Sequence, residues 1–200
     1  MSSGSKEAGT RQRIVEAADR LFYRQGYEHT SFSDIADAVQ ISRGNFYYHF
    51  RSKDEILDAV IAARLAATGE MLAGWERAAD PAARLRSFIH LLFVNRLSIK
   101  AHGCPVGTLC GELAKLDHPA RQEANELFTL FRAWLAREFA RLGRGREADG
   151  LALHLLALSQ GVATLAHAFD DEALIRRQVR LIEAWLDEQC RAGAREKQSA

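Results

Sequence analysis

The sequence predicts an all-α protein, because apolar residues recur at helical spacing along almost every long segment and no persuasive strand or hairpin pattern occurs. Only three of the 200 residues are proline, and each of them, Pro81, Pro105 and Pro119, suits the first turn of a helix, where its missing N–H costs nothing. We therefore expect about nine helices, arranged as an N-terminal three-helix domain and a larger C-terminal helical domain.

The composition predicts a folded chain with balanced charge. Hydrophobic residues make up 48% of the chain, enough for a substantial core. Lys and Arg total 27 against 26 Asp and Glu, so nucleic-acid binding would require a local concentration of positive charge. Because no apolar run reaches the roughly 18 residues that span a bilayer, and the opening MSSGSKEAG lacks a signal peptide's apolar core, we expect a cytoplasmic protein without membrane contact.

Capping residues predict the helices of the first third. Ser31 with Asp34, like Ser52 with Glu55, has the spacing of a capping box. The predicted caps are Thr10, Ser31, Ser42 and Ser52, and the helices that they begin extend to Gly26, Gln40, Phe50 and about Trp75.

The second and third of these helices, joined by a tight turn at residues 40–42, match a helix-turn-helix, whose second helix enters the DNA major groove. Residues 38–53 contain no acidic side chain but four basic or imidazole side chains, so this segment of a near-neutral protein is locally positive. Phe46 and Phe50, at i and i+4, are expected to anchor the helix to the core, whereas Ser42 offers a hydroxyl to DNA.

The order and spacing of RQGY, TSFSDIADAV, ISRG, YYHF and SKDEIL strongly resemble the DNA-binding domain of the tetracycline-repressor (TetR) family of bacterial regulators. The resemblance covers about a quarter of the chain. It implies a homodimer of nine to ten helices that binds a palindromic double-stranded DNA operator and leaves it when a small-molecule inducer binds. Carried over by position, the family's DNA contacts fall on Ser31, Arg43, Gly44, Asn45, Tyr47, Tyr48, His49 and Lys53, with Asn45 at a variable position that helps to set the operator sequence. For Tyr47, Tyr48 and His49 taken alone, simple core or surface packing is the alternative.

The remaining helices are expected at Pro81 to about Lys100, Pro105 to Leu116, Pro119 to Leu142, Arg146 to Phe169 and Glu172 to Cys190. This interpretation divides the chain into a disordered tail (1–9), a DNA-binding domain (10–53), a ligand-binding and dimerisation domain (54–192) and a second disordered tail (193–200).

The segment from Leu151 to Phe169 is apolar on nearly all sides and must be covered on all sides. We expect a second copy of the last two helices to cover it, in a four-helix dimer interface. The residues predicted for that interface are Leu155, Leu158, Val162, Leu165, Val179, Ile182 and Leu186.

A ligand pocket is expected among the helices from Glu55 to Leu142, closed by the penultimate helix. Asn95 and Arg96 interrupt the apolar LLFVNRLSI and would suit a polar ligand group, although Arg96 could instead reach solvent or pair with a carboxylate. The predicted ligand residues are Trp75, Phe93, Asn95, Arg96, Cys104, Phe131 and Trp134, with Phe88 and Phe128 as further aromatic candidates.

In AHGCPVGTLCGELA, Cys104 precedes Pro105 and is expected at a helix N-cap, with Lys100 and His102 close in sequence. Helix amides and nearby cations favour the thiolate, which attacks electrophiles. The GCPVG segment also resembles, more loosely, a TetR subgroup that senses reactive electrophiles through a cysteine at this place. The alternative is a structural cysteine at a close-packed turn; Cys110 lies off that helical face, and Cys190 is read as incidental.

Other classes of function have less support. No HExxH, CxxC or tight His/Cys pair predicts a metal site, and no cofactor motif occurs. A thiol enzyme using Cys104 would need a triad spacing that is not found. A helical dimeric interaction protein would explain the dimer helices but not the acid-free segment.

Overall fold

The computed structural model describes the backbone of residues 3–77 and 80–198, and the side chains of residues 9–42, 44–77 and 80–195. Within those residues it contains ten α-helices, one 3₁₀ turn and no strand, which confirms the all-α prediction. The helices are α1 (Ser3–Gln25), α2 (Phe32–Val39), α3 (Arg43–His49), α4 (Lys53–Trp75), α5 (Pro81–Val94), α6 (Arg96–His102), α7 (Pro105–Lys115), α8 (Arg121–Leu142), α9 (Ala148–Ala168) and α10 (Glu172–Gln198), with the 3₁₀ turn at Gly145–Glu147.

The chain divides into two compact units, Met1–Ala67 with Thr108–Glu126, and Thr68–Gly107 with Leu127–Ala200. This division does not coincide with the predicted one after residue 53. Helices α4, α7 and α8 each contain residues of both units.

In the first unit, α2 and α3 are fixed by caps and by basic residues of α1. The Ser31 hydroxyl accepts from the Asp34 amide (3.1 Å) while the Asp34 carboxylate accepts from the Ser31 amide (2.7 Å), so the predicted capping box forms. Gln40 ends α2 in the left-handed region, with φ of 57°. Arg13 donates to the carbonyl of Val39 (2.8 Å), which supplies a partner for the end of α2.

The second capping box differs in detail from the prediction. Ser52 accepts from the amide of Glu55 (3.1 Å), but the Glu55 carboxylate accepts from the amide of Arg51 (2.7 Å) rather than from that of Ser52. The start of α4 is therefore capped as expected, and the carboxylate also fixes the link that follows α3.

The core of the second unit is built from large side chains that are almost fully buried on α5, α8, α9 and α10. Trp134 and Phe139 of α8 lie within it, together with Leu85 and Ile89 of α5. One buried ion pair crosses this core: Glu138, with no exposed surface, accepts from Arg84 (3.1 Å) and from Arg141. Pairing offsets the desolvation cost of that carboxylate.

Both terminal segments, for which we expect disordered tails, are helical in their described residues. Helix α1 begins at Ser3 rather than after Thr10, and α10 continues to Gln198 rather than ending at Cys190. Extending a nucleated helix gains one backbone hydrogen bond for each residue fixed, so polar segments follow the helix they adjoin. Residues 1, 2, 199 and 200 lie outside the described part of the chain.

Three internal helix boundaries were also predicted wrongly. The expected helix from Pro81 to Lys100 is two helices, because the Asn95 side chain donates to the Leu91 carbonyl (3.0 Å), and such local bonds compete with the helical ladder. Helix α8 begins at Arg121 rather than Pro119, since the preceding turn is held by a bond from the Ala120 amide to Nδ1 of His118 (3.1 Å). Helix α9 begins at Ala148, after the 3₁₀ turn.

Candidate nucleic-acid interface and ligand cavity

Helix α3 has one buried face and one exposed face. Phe46 and Phe50 are buried in the first unit, with exposed fractions of 1% and 0%, as predicted from their i, i+4 spacing. Tyr47 and Tyr48 are instead 57% and 70% exposed. Core packing therefore does not explain these two tyrosines, and both phenols are accessible to a partner.

Neighbouring rings hold the two exposed tyrosines. The ring of Tyr47 stacks on that of Phe32, with centroids 5.4 Å apart and planes at 23°. The ring of Tyr48 meets His49 edge-on at 5.2 Å. These contacts limit the rotamers that each tyrosine can adopt, so less side-chain entropy is lost when the phenols bind a partner.

The N-terminus of α3 is capped and open. Ser42 accepts from the Asn45 amide (3.4 Å), and the side chain of Asn45 is exposed. A Cβ added at Gly44 would meet nothing within 4 Å, so nothing in the described chain requires glycine there. The missing side chain at Gly44 would instead allow the backbone of a binding partner to approach the helix closely. The side chain of Arg43, also predicted to contact DNA, lies outside the described side chains.

Two other predicted DNA contacts are already engaged within the first unit. The hydroxyl of Ser31 serves as the N-cap of α2. The ammonium of Lys53 donates to the carbonyls of Tyr27 (2.9 Å) and Glu28 (3.4 Å) and lies 4.2 Å from the centroid of the Tyr27 ring. An ammonium has three donors, so one donor of Lys53 remains for a phosphate.

The sequence reasoning missed a carboxylate that organises the loop after α1. Glu112 of α7 accepts from the amides of Tyr27 (2.9 Å) and Glu28 (3.0 Å), an arrangement that we call the Glu112 clamp. Gly26 has φ of +90°, which other residues rarely adopt, and a Cβ there would lie 2.9 Å from a Glu112 oxygen. Both the backbone conformation and the lack of space therefore require glycine at this position. No signal in the sequence links these positions, which are about 85 residues apart.

The phenol of Tyr27 is also held within the first unit. It donates to the carboxylate of Asp54, and its ring meets Phe22 and His118 edge-on at 5.3 and 5.0 Å. Burial, and then the bond to Asp54, raise the pKa of the Tyr27 phenol above its ordinary value. Tyr27 is thus a neutral structural group at physiological pH.

The second unit contains an apolar cavity of about 110 Å³. Its walls come from α5, α6, α8 and α9 and from the start of α7. The lining residues are Phe88, Leu91, Leu92, Asn95, Ile99, Cys104, Pro105, Val106, Phe128, Phe131, Leu156, Ser159 and Gln160. The structure thus brings Asn95, Cys104 and Phe131 together, as predicted, along with the aromatic candidates Phe88 and Phe128.

Four residues predicted to bind ligand do not line this cavity. Trp134 is buried in the core and meets the ring of Trp75 edge-on at 5.5 Å, and Trp75 faces a separate surface groove. Arg96 pairs with Glu172 at 2.6 Å and lies over the ring of Phe93, at 4.7 Å from its centroid. Sequence spacing could not separate these positions, because a large aromatic residue suits a core and a pocket wall equally.

The sequence reasoning missed the polar wall of the cavity, which α9 provides. The Ser159 hydroxyl donates to the carbonyl of Leu156 (2.7 Å). The side-chain oxygen of Gln160 lies where a Cβ on Gly107 would be, so glycine at position 107 leaves room for that carboxamide. The sequence predicts that this helix closes the pocket, but it indicates no polar ligand residue there.

The predicted electropositive setting of Cys104 is only partly present. Cys104 is a half-buried cysteine outside any disulfide, in the cavity wall immediately before α7. Lys100, however, pairs with Asp170 (3.1 Å). Cys110 is buried and its Sγ lies 3.4 Å from the Ala124 carbonyl, while burial raises the pKa of the Cys190 thiol. Cys104 is therefore the cysteine that a cavity ligand would meet.

Most of the residues predicted for a dimer interface are not on the protomer surface. Leu155, Val162, Val179, Ile182 and Leu186 are buried in the core of their own unit, and Leu158 packs against it. Only Leu165 is exposed, at 46%. The predicted interface residues therefore belong mostly to the core. The sequence could not distinguish the two faces, because a helix that is apolar all round has no unique apolar face in its pattern.

The exposed face of α9 carries a different row of small and apolar residues. We call this row the α9 stripe; its members are Leu153, Ala157, Gly161, Leu165 and Ala168. Leu181 and Ala184 are exposed on α10. By length and composition, residues 145–168 would also pass as one membrane-spanning helix, a test that core helices of other proteins pass too. Among the described residues, no group of His, Cys, Asp and Glu could hold a metal ion.

Comparisons with known proteins give a consistent result. Residues 14–60 match the family described as bacterial regulatory proteins, tetR family, and residues 81–180 match the LmrA/YxaF-like C-terminal domain of transcriptional regulators. An HTH-type transcriptional regulator in the lacX 3′ region of Lactococcus lactis subsp. lactis is 32% identical over 136 residues, which cover 66% of this chain and 69% of that relative.

Longer matches have lower identity. The YxaF regulator of Bacillus subtilis (strain 168) is 28% identical over 182 residues, covering 86% of this chain and 94% of that relative. The crystal structure of a TetR-family transcriptional regulator from Agrobacterium tumefaciens superposes with a TM-score of 0.78 at 22% identity, covering 89% of this chain and 97% of that chain. These matches span both units.

Proposed function

Since the chain belongs to the TetR family of bacterial regulators, and is a DNA-binding transcriptional regulator rather than an enzyme, we propose that it represses genes from a palindromic operator until an inducer releases it. Regulators of this family bind DNA operators and act as dimers with small-molecule ligands. The observation that carries the proposal is the exposed aromatic face of α3 beside a capped, open helix N-terminus. We place the protein in the cytoplasm, with its DNA.

The DNA contacts that we propose are those of the exposed face. Tyr47, Tyr48 and His49 donate to phosphates or base edges, while Gly44 allows close approach and Asn45 reads a base. The remaining contacts are proposed for Ser31, Ser42, Arg43 and Lys53. The acid-free segment from residue 38 to residue 53 supplies the local positive charge that a near-neutral protein otherwise lacks.

We propose that the partner in a homodimer covers the α9 stripe. A Cβ added at Gly161 would meet nothing within 4 Å, so a second helix can approach α9 closely there. Leu153 and Leu165 lie on either side of that glycine and supply apolar area. A covered α9 face also removes the need for a membrane to explain this apolar helix.

The inducer is proposed to occupy the cavity of the second unit. Helices α4 and α7 contain residues of both units, and we propose the long helix α4 as the coupling element. A thiol-reactive inducer would add to Cys104: the sulfur forms a C–S bond to the β-carbon of an unsaturated carbonyl compound, and the thiol proton ends on the α-carbon. The looser resemblance of GCPVG to electrophile sensors supports this version of the proposal.

The test is a fluorescence-anisotropy titration of the full-length protein against DNA flanking its own gene, at fixed salt, with and without N-ethylmaleimide. We expect tight, sequence-selective binding that the reagent abolishes in the native protein and in Cys190→Ser, but not in Cys104→Ser. Weak binding to every DNA, lost as salt increases, would refute the repressor proposal. If the reagent releases DNA equally from Cys104→Ser and Cys190→Ser, only the proposed role of Cys104 is refuted, and the repressor proposal stands.

A further inference from the structure

We propose that the cavity of the second unit takes an uncharged compound with a single small ring and one hydroxyl-like group, which Gln160 recognises. This inference rests on the proposed function, since it names the chemical class of the inducer. It is carried by the cavity's size, by the absence of charge in its lining and by a lining glutamine whose side-chain oxygen accepts no hydrogen bond in the described part of the chain.

The size of the cavity limits the ligand to one small ring. Its volume is about 110 Å³. For comparison, an apolar protein cavity of about 150 Å³ stays dry and binds benzene. A fused two-ring compound would have to push the walls apart, and close-packed interiors resist this. Phe88 and Phe131, whose rings meet edge-on at 5.5 Å, give the wall an aromatic surface that suits a ring.

The lining excludes charged ligands. None of the lining residues is Lys, Arg, Asp or Glu. A carboxylate or ammonium entering the cavity would lose its hydration without gaining an ion-pair partner, and burying an unpaired charge is far more costly than burying a hydroxyl. The ligand must therefore be neutral when it binds.

The polar side chains in the lining differ in how many of their hydrogen-bond donors and acceptors are still unused. The single hydroxyl proton of Ser159 is donated to Leu156. The amide of Asn95 donates one of its two protons to Leu91, and because Asn95 is exposed, solvent can satisfy the rest of that amide. Gln160 makes only a long bond, from Nε2 to the Ser159 hydroxyl at 3.5 Å. In the described part of the chain, its side-chain oxygen accepts no hydrogen bond. A ligand hydroxyl can donate to this oxygen.

Glycine at position 107 keeps that carboxamide in place. A side chain there would collide with the Gln160 oxygen, so the start of α7 is shaped to let Gln160 lie against it. Gly107 thus makes room for the group that selects the ligand. Gly107→Ala should displace Gln160 and weaken hydroxyl recognition in the same direction as removing its carboxamide.

The experiment measures calorimetric binding of phenol, toluene, benzoate and 2-naphthol to the full-length protein at pH 7. We expect phenol to bind about fivefold more tightly than toluene, as one net hydrogen bond provides, and benzoate and 2-naphthol not to bind. Gln160→Leu should bind phenol and toluene equally, whereas Gln178→Leu, a half-buried glutamine of α10 outside the cavity, should keep the preference.

Toluene binding by Gln160→Leu serves as the check that its cavity is intact. A preference for phenol that survives Gln160→Leu with toluene still bound, or benzoate binding as tightly as phenol, would overturn the inference. If Gln160→Leu binds neither probe, Gly107→Ala decides, because an unchanged phenol-to-toluene ratio there also overturns it. Operator binding is titrated on the same samples without probes; its failure would refute the proposed function while leaving the probe results standing.

Discussion

Phe50 and Tyr48, two positions apart at the end of α3, have opposite surroundings. Phe50 has no exposed surface, and the guanidinium of Arg11 lies 4.5 Å from its ring centroid. Tyr48 is largely exposed, and its ring meets that of its neighbour His49. The sequence could predict this difference because the i, i+4 pair of phenylalanines fixes which side of a short helix is buried.

Substitutions at these two positions should separate folding from DNA binding. Phe50→Ala should lower the free energy of unfolding by about 3–5 kcal/mol, because it leaves a cavity in the small domain. Tyr48→Phe should leave urea unfolding unchanged and weaken operator binding about fivefold, because one hydrogen bond to the DNA is lost. Normal operator affinity in Tyr48→Phe and Tyr47→Phe would contradict the assignment of α3 as the DNA-reading helix.

Tyr27 predicts how stability responds to high pH. Its folded-state pKa is raised, chiefly by burial, so the stabilisation from its neutral phenol is fully present below about pH 10, the ordinary value for tyrosine, and is lost as pH rises above that. In urea unfolding, the advantage of the native protein over Tyr27→Phe should therefore stay constant from pH 8 to about pH 9 and shrink as the pH rises above about 10. A constant difference up to pH 11 would show that the phenol has the same pKa in the folded and unfolded states, which would contradict the prediction.

At the scale of elements, the Glu112 clamp is the contact that sequence reasoning could least foresee. Local patterns report on residues within a few turns of one another, and the clamp joins α7 to a loop in the first quarter of the chain. The capping box of α2 and the Ser52 cap of α4 were predictable because all of their partners lie within a few residues of one another.

Removing the clamp's charge should loosen the first unit. Glu112→Gln keeps the shape of the side chain but replaces one carboxylate oxygen with a donor, so one of the two loop amides loses its partner. We expect the free energy of unfolding to fall by about 1–3 kcal/mol. Glu123→Gln, an exposed glutamate on α8, is the matched control, and equal unfolding curves for the two variants would rule out a stabilising clamp.

The helix break at Asn95 shows the limit of periodicity. The cavity-lining positions 88, 91, 92, 95 and 99 keep helical spacing straight through the break between α5 and α6. A one-residue interruption does not disturb such a pattern, so the sequence predicted one helix where there are two. The prediction that Asn95 lies in the wall of a ligand pocket nevertheless agrees with its position in the cavity lining.

At the scale of the whole molecule, the all-α class and the order of elements followed from the sequence, whereas the exposed apolar face of α9 did not. On α9, apolar residues point both into the core and outward, and only the burial of Leu155 and Val162 shows which side is which. The pocket was predicted in the right part of the chain, but its polar wall on the same helix was not.

Introducing a charge into the α9 stripe should separate the dimer. Leu165→Glu would bury an unpaired carboxylate in each copy of a paired stripe, so analytical ultracentrifugation should show monomers and operator affinity should fall at least tenfold. Leu116→Glu, at an exposed leucine of the first unit, should remain dimeric. A dimeric Leu165→Glu variant would exclude the stripe as the interface.

An apolar helix face that is covered only in a pair makes stability a matter of protein concentration. If a second copy covers the α9 stripe, each tenfold dilution removes about 1.4 kcal/mol from the dimer relative to separate protomers. The thermal midpoint of the protein should then increase with protein concentration. In a cell that makes few copies of this chain, some would be separate protomers with an exposed apolar α9 stripe. The amount synthesised would then set both the occupancy of the operator and the stability of the protein.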